Sequence, residues 1–281
     1  MAATLPEDLL KPPASKAPRW LIGAALLLTA LFIVAPLLVI FDQAFAKGIE
    51  VFRNNLVHKD TLHAVWLTVV TALIVVPLNL TFGLAAAWAI TKFEFPGKKL
   101  LLTTIDIPFS VSPIVAGVCY LLLYGSNGLF GGWLAEMDVR IMFSMPAIIL
   151  VTLFVTSPFV ARELIPLMQV QGRDQEEVAA TLGASGWQIF RRVTLPNVKW
   201  ALLYGAVLCN ARAMGEFGAV SVVSGNIRGE TNTLPLQVQL LYQDYNATGA
   251  FAAASVLTLL AFVTLILKAI LERHTQSRSG H

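Results

Sequence analysis

Six long, mostly apolar stretches, at 20–41, 62–90, 100–124, 143–167, 198–223 and 250–271, constrain this chain more than any other feature. An α-helix rises about 1.5 Å per residue, so each stretch can cover roughly 30 Å of hydrocarbon. In that solvent an unpaired peptide group is so costly that only helices and closed barrels persist, and runs this continuously apolar read as helices. The expected fold is therefore an all-α membrane protein with six transmembrane helices. Composition agrees, because 56% of the 281 residues are hydrophobic and only 13% are charged. A mean hydropathy of +0.70 lies outside the range of an ordinary soluble domain.

The fourth stretch is the least regular. It holds Pro146, Pro158 and Pro166 with Arg162 and Glu163, so its inner end is expected to leave the membrane before Met168. The residues before Trp20 are polar and Pro-rich, and the run after them is too long for a typical cleaved signal, so it is expected to stay as the first span.

Orientation follows from lysine and arginine, which gather in cytoplasmic loops. With the N-terminus inside, that side holds fourteen: Lys11, Lys16, Arg19, Lys92, Lys98, Lys99, Arg162, Arg173, Arg191, Arg192, Lys199, Lys268, Arg273 and Arg278. The other side holds five, Lys47, Arg53, Lys59, Arg140 and Arg228, while Arg212 remains within a span. Both termini are expected in the cytoplasm, as tails at 1–19 and 273–281 around a membrane domain at 20–272. The net charge of +3 is the small difference between 20 basic and 17 acidic residues, and no nucleic-acid partner is expected. The outer segment 226–246 is apolar enough to lie on or dip into the membrane surface, but too short and polar to cross.

The inner loop at 173–196 carries the densest local signals. Asp174 with Glu177 has the spacing of an N-terminal cap, Gly183 falls where a first helix should end, and Ser185 with Gln188 has the spacing of a capping box. Val178 and Leu182 share one face, and Trp187 and Phe190 lie beside Arg191 and Arg192. Periodicity alone suits an amphipathic segment resting on lipid headgroups.

The wider pattern points elsewhere. Glu177, Ala179 and Gly183, followed by Val193, Leu195 and Pro196, resemble the "EAA…G…I-LP" loop of bacterial ABC-importer permeases in residue type and spacing. The departures are Val178 for the usual Ala and Val193 for Ile. The resemblance implies a type I ABC importer permease fold in which this loop is a coupling helix seated in a groove of a separate ATPase. Small Ala179 and Gly183 would allow a close backbone approach, Arg173 and Glu177 are candidates for polar contacts, and Arg191, Leu195 and Pro196 complete the joint. No GxxxxGK[ST] phosphate loop occurs in the chain. The chain is therefore expected to be a transport subunit and not an enzyme, binding no cofactor, with ATP and Mg on the partner ATPase.

Three further runs narrow the resemblance. Pro108-Phe109-Ser110-Val111-Ser112-Pro113, Ser157-Pro158-Phe159-Val160-Ala161-Arg162-Glu163 and Arg212-Ala213-Met214-Gly215-Glu216-Phe217-Gly218 are similar to sulfate and molybdate permeases, and most of all to the W-type membrane subunits of sulfate/thiosulfate importers. Such a subunit implies a homologous T-type permease, two ATP-binding subunits, a periplasmic sulfate- or thiosulfate-binding protein and a bacterial inner membrane. Molybdate or another oxyanion is the alternative cargo, and a self-sufficient secondary transporter is the alternative class.

Arg212 and Glu216, four residues apart within an apolar stretch, are the sharpest candidates for a translocation path, because charges inside a span usually face a partner or a wet cavity. They allow two readings: an ion pair that locks or gates the helix, or an anion contact, which Glu216 would oppose. Ser110 and Ser112, between Pro108 and Pro113, are either oxyanion contacts at a broken helix or hydroxyls that re-satisfy a kinked backbone. Gly83, Gly117, Gly205, Gly215 and Gly218 are expected at close helix contacts. Cys119 and Cys209 read as inert packing residues, and His58, His63, His274 and His281 lack metal-ligand spacing.

Overall fold

The computed structural model describes residues 19–279, with side chains from 20 to 270. The expected inner tail at 1–19, with Lys11 and Lys16, falls outside the described residues except for Arg19, as do the last two residues of the tail at 273–281. Helix dominates and no strand occurs among the described residues, as peptide groups in hydrocarbon require.

The chain opens on α1 (Arg19–Thr29), a π-helical turn at Ala30–Val34 and α2 (Ala35–Phe45). Pro36 has no N–H to offer the turn before it, so that turn widens and the Ala35 N–H reaches the Ala30 carbonyl. Next come α3 (Ile49–Val57), α4 (Lys59–Lys92), α5 (Lys98–Ser110), α6 (Pro113–Tyr124), α7 (Gly131–Glu136) and α8 (Met145–Gln171). After α9 (Asp174–Thr181), α10 (Gly186–Ile189) and a second π-helical turn at Phe190–Thr194 follow α11 (Leu195–Met214), α12 (Gly218–Val223), α13 (Leu234–Gln243) and α14 (Ala247–Ser279).

Four runs are long and apolar enough to cross a membrane: Trp20–Phe45, Lys59–Lys92, Met145–Gln171 and Ala247–Ile270. A fifth exists only if α5 and α6, bent by 109°, count as one span. The third apolar stretch is thus not a rod. Val111 and Ser112 are extended, as a residue before proline tends to be, and Pro113 restarts the helix. The fifth stretch is broken as well, between Met214 and Gly218, and Lys199, Asn210 and Arg212 leave α11 less apolar than the four long runs. The fourth continues as one helix to Gln171, past its three prolines.

Helix α8 lies at the centre, against α4, α5, α11 and α12. Its Val160 is wedged between two glycines. A Cβ at Gly83 of α4 would fall 2.6 Å from Val160 Cβ, and one at Gly205 of α11 would fall 3.3 Å from Val160 Cα. Gly117 and Gly218 likewise let α6 and α12 meet, at 2.8 Å from the Ala219 carbonyl and 3.2 Å from Pro113 Cβ. Gly215 is different, since a Cβ there meets only the Ala211 carbonyl, at 3.5 Å. Gly83→Val should therefore force α4 off α8 at a cost of about 1–3 kcal/mol. A lowered melting temperature in detergent checks this, and unchanged melting contradicts it.

Buried polar groups pin the same interface. Asn79 of α4 donates to the Thr156 hydroxyl of α8 at 2.7 Å and approaches Cys209 Sγ of α11 at 3.6 Å. The segment at 226–246 is bedded in the protein through α13. The Leu234 N–H donates to the Thr68 hydroxyl at 2.7 Å, and Leu234, Leu236 and Gln237 are buried where α13 meets α4 and α14. By contrast, the most apolar stretch of Trp20–Phe45 has no buried side chain, and α2 meets α14.

Candidate functional site

Gly172, at φ +67°, ends α8 and turns the chain into α9. The expected cap at Asp174 does not form. Arg173 is the N-cap residue without a side-chain bond, and Asp174, Glu176 and Glu177 lie inside the first turn, where carboxylates suit the positive end of the helix dipole. The other local signals act as read. Gly183 closes α9 at φ +85°, with nothing within 4 Å of where a Cβ would stand, so its backbone conformation selects glycine. The Ser185 hydroxyl accepts from the Gln188 N–H, and the Gln188 side chain accepts from the Ser185 N–H. Pro196 then repeats the effect of Pro36, and the Leu195 N–H bonds the Phe190 carbonyl across the second wide turn.

Of the residues that hold the loop to the helices, the sequence singles out only Arg173, and for a different contact. Glu176, not its neighbour Glu177, turns inward to Lys92 at the end of α4, 2.8 Å away, with both side chains largely buried. The Thr194 hydroxyl donates to Glu176 at 3.2 Å, and Lys92 also donates to the Gly172 carbonyl. Arg173 reaches Glu94 at 3.4 Å, and Lys98 meets the same carboxylate at 2.8 Å. The hydrogen bond and charge of Lys98, reinforced by Arg173, hold the Glu94 carboxyl below the usual carboxylate range. This exposed contact is therefore present above the ordinary carboxylate pKa and lost as pH falls through the lowered one.

The opposite surface is apolar and open. Val178 is 59% exposed and Leu182 83% exposed, with Glu177 exposed beside them. Trp187 is 69% exposed, while Phe190 anchors the second helix against Trp88 of α4 at 4.8 Å. Ala179, Arg173 and Leu195 are half-buried, and Arg191 and Pro196 are exposed.

In the helices, the two breaks meet, since Gly218 at the start of α12 packs on Pro113 at the start of α6. Ser110 and Ser112 are exposed at the 109° bend, and neither hydroxyl bonds the backbone among the described residues. Arg212 Nη1 pairs with Glu216 Oε2 at 2.6 Å, and the Glu216 side chain is only 1% exposed. Its other oxygen accepts the Ala219 N–H at 3.0 Å, so the carboxylate also caps α12. A second ion pair joins α5 to α8. Asp106 of α5 and Arg162 of α8 meet at 2.9 Å, and the guanidinium lies 4.2 Å from the Phe109 ring centre.

Residues 79–277, which hold the loop, both breaks and both ion pairs, match the family of binding-protein-dependent transport system inner membrane components. The chain belongs to that family. This inner membrane component is 61% identical over 255 residues to the sulfate transport system permease protein CysW of Escherichia coli (strain K12), covering 90% of this chain and 88% of that one. It is 53% identical to the protein of the same name from Synechocystis over 96% of each chain. With the Escherichia coli sulfate transport system permease protein CysT the identity is 34%, over 92% of both. Its fold is shared with a crystal structure of a bacterial ABC transporter that imports the acidic polysaccharide alginate, at a TM-score of 0.74 and 16% identity, over 92% of this chain and 96% of that one.

Proposed function

We propose that this chain is one of two unlike membrane subunits of an ATP-driven importer of sulfate and thiosulfate in the bacterial inner membrane. Its partners are a CysT-like permease, two ATP-binding subunits that carry ATP and Mg, and a periplasmic sulfate- or thiosulfate-binding protein. The four long helices, the bent α5–α6 pair and α11 with α12 make six crossings, with both termini and the loop at 173–196 in the cytoplasm. The excess of lysine and arginine on that side, which persists with Arg162 assigned to its span, supports this orientation.

One observation carries the reading: an apolar face at Val178 and Leu182 stands open on a loop that Lys92 and Glu176 clamp to the helices. An exposed apolar face on a rigid mount suits a protein partner. The joint is mechanical. When ATP closes the two ATPase subunits, the loop moves as a unit, because Glu176 ties it to α4 while its ends run directly into α8 and α11. Those three helices meet at Val160, so displacement of the loop tilts them together and opens the path to one side and then the other.

The test is reconstitution of this chain with its partner permease and ATPase. Sulfate-loaded binding protein should stimulate ATP hydrolysis. Stimulation by molybdate-loaded protein alone contradicts the cargo and spares the importer, whereas no stimulation by any loaded binding protein contradicts the importer.

A further inference from the structure

Asp106 and Arg162 are charged, half exposed and deep in their helices. Asp106 lies eight residues into α5 and Arg162 nine residues short of the end of α8, so they stand roughly 12 and 14 Å from the loop ends of their helices. Their side chains are 50% and 52% exposed. Charge at such depth rarely faces lipid, and it marks a partner surface or a wet path.

The pair differs from Arg212 and Glu216 in what it leaves available. Glu216 is sealed in and committed to capping α12, so Arg212 is tied to it. Asp106 has no such second duty among the described residues. Arg162 directs both Nε and Nη2 at one oxygen, Oδ1, at 2.9 Å each. The Phe109 ring beneath the guanidinium, itself 5.2 Å from the Phe159 ring, supports its plane without neutralising it. Asp106, Phe109 and Ser110 follow at helical spacing on one face of α5, so carboxylate, ring and hydroxyl form a strip that ends at the bend where Ser112 is exposed.

We infer that Arg162 is a contact for the translocated oxyanion where this chain faces the second permease, with Asp106 holding its guanidinium between passages. This rests on the importer reading above. A guanidinium fork fits two oxygens of a tetrahedral oxyanion as it fits a carboxylate, so the arriving ion takes the place of Asp106. The displaced carboxylate stays near and repels the dianion, which keeps the contact weak enough to release, as conduction requires.

The experiment uses the full importer in proteoliposomes with sulfate-loaded binding protein, and compares Arg162→Gln, Arg162→Lys, Asp106→Asn and the double variant Asp106→Asn with Arg162→Gln. Arg162→Gln should lower ATP-driven uptake by about tenfold or more, the scale of a lost charge-assisted contact, while stimulated ATP hydrolysis persists. Arg162→Lys should keep part of the uptake, and Asp106→Asn should lose less uptake than Arg162→Gln, because the cation remains and only the repulsion that aids release is gone. The double variant should be as poor as Arg162→Gln alone. Recovery of uptake in the double variant overturns the inference, because a merely structural pair tolerates joint neutralisation. Should Arg162→Gln fail to assemble, the double variant, with no unpaired charge, decides by its uptake alone. An unaltered complex that moves no oxyanion overturns both readings, whereas normal uptake by Arg162→Gln overturns this one only.

Discussion

Leu182→Asp is expected to abolish coupling while leaving the chain folded. Leu182 is 83% exposed, and a polar substitution at such a position changes stability by about 0.5 kcal/mol or less. If the loop docks as proposed, the same side chain sits in an ATPase groove, and a carboxylate forced into an apolar contact costs about 2–4 kcal/mol, on the scale of an interface hot spot. Uptake should fall about a hundredfold, following from roughly 1.4 kcal/mol per factor of ten. The ATPase should co-purify poorly with the variant, while its melting temperature in detergent stays that of the unaltered chain. Normal co-purification with normal uptake would place the docking face elsewhere.

The second large effect belongs to Arg212. Removing it by Arg212→Ala leaves the Glu216 carboxylate buried without its partner, and breaking such a pair costs about 3–5 kcal/mol. The melting temperature should drop steeply. Glu216→Gln should be milder, because the amide oxygen can still accept the Ala219 N–H and Arg212 retains some exposure. Combining Arg212→Met with Glu216→Gln should recover most of the loss. If the double variant is stable but transports nothing, the pair does more than lock α11 to α12.

These expectations show where the sequence was readable. Gly183, Ser185 and Gln188 were legible because a helix stop and a capping box are settled within a few residues. The packing role of Gly83 and Gly205 was legible too, as small residues in apolar helices have few other uses. The clamp on the loop was not. Glu176 and Glu177 are adjacent carboxylates in one helical turn, and only the distant Lys92 decides which of them turns inward. Asp106 was passed over for the same reason, since its partner lies on α8. The bend at Val111 and Ser112 is foreshadowed by Pro108 and Pro113, yet a run of hydropathy records how apolar a segment is and not its direction, so two helices at 109° read as one span.

On the proposed mechanism, ATP hydrolysed on another chain drives an oxyanion through this one by way of the loop. The direct measurement is accumulation of labelled sulfate in vesicles that carry this chain and its partner permease, with loaded binding protein on the outer face. Accumulation should appear only when the ATPase subunits are present and supplied with ATP on the side of the loop. Accumulation without those subunits, driven by an ion gradient alone, would contradict the account and mark a self-sufficient secondary transporter.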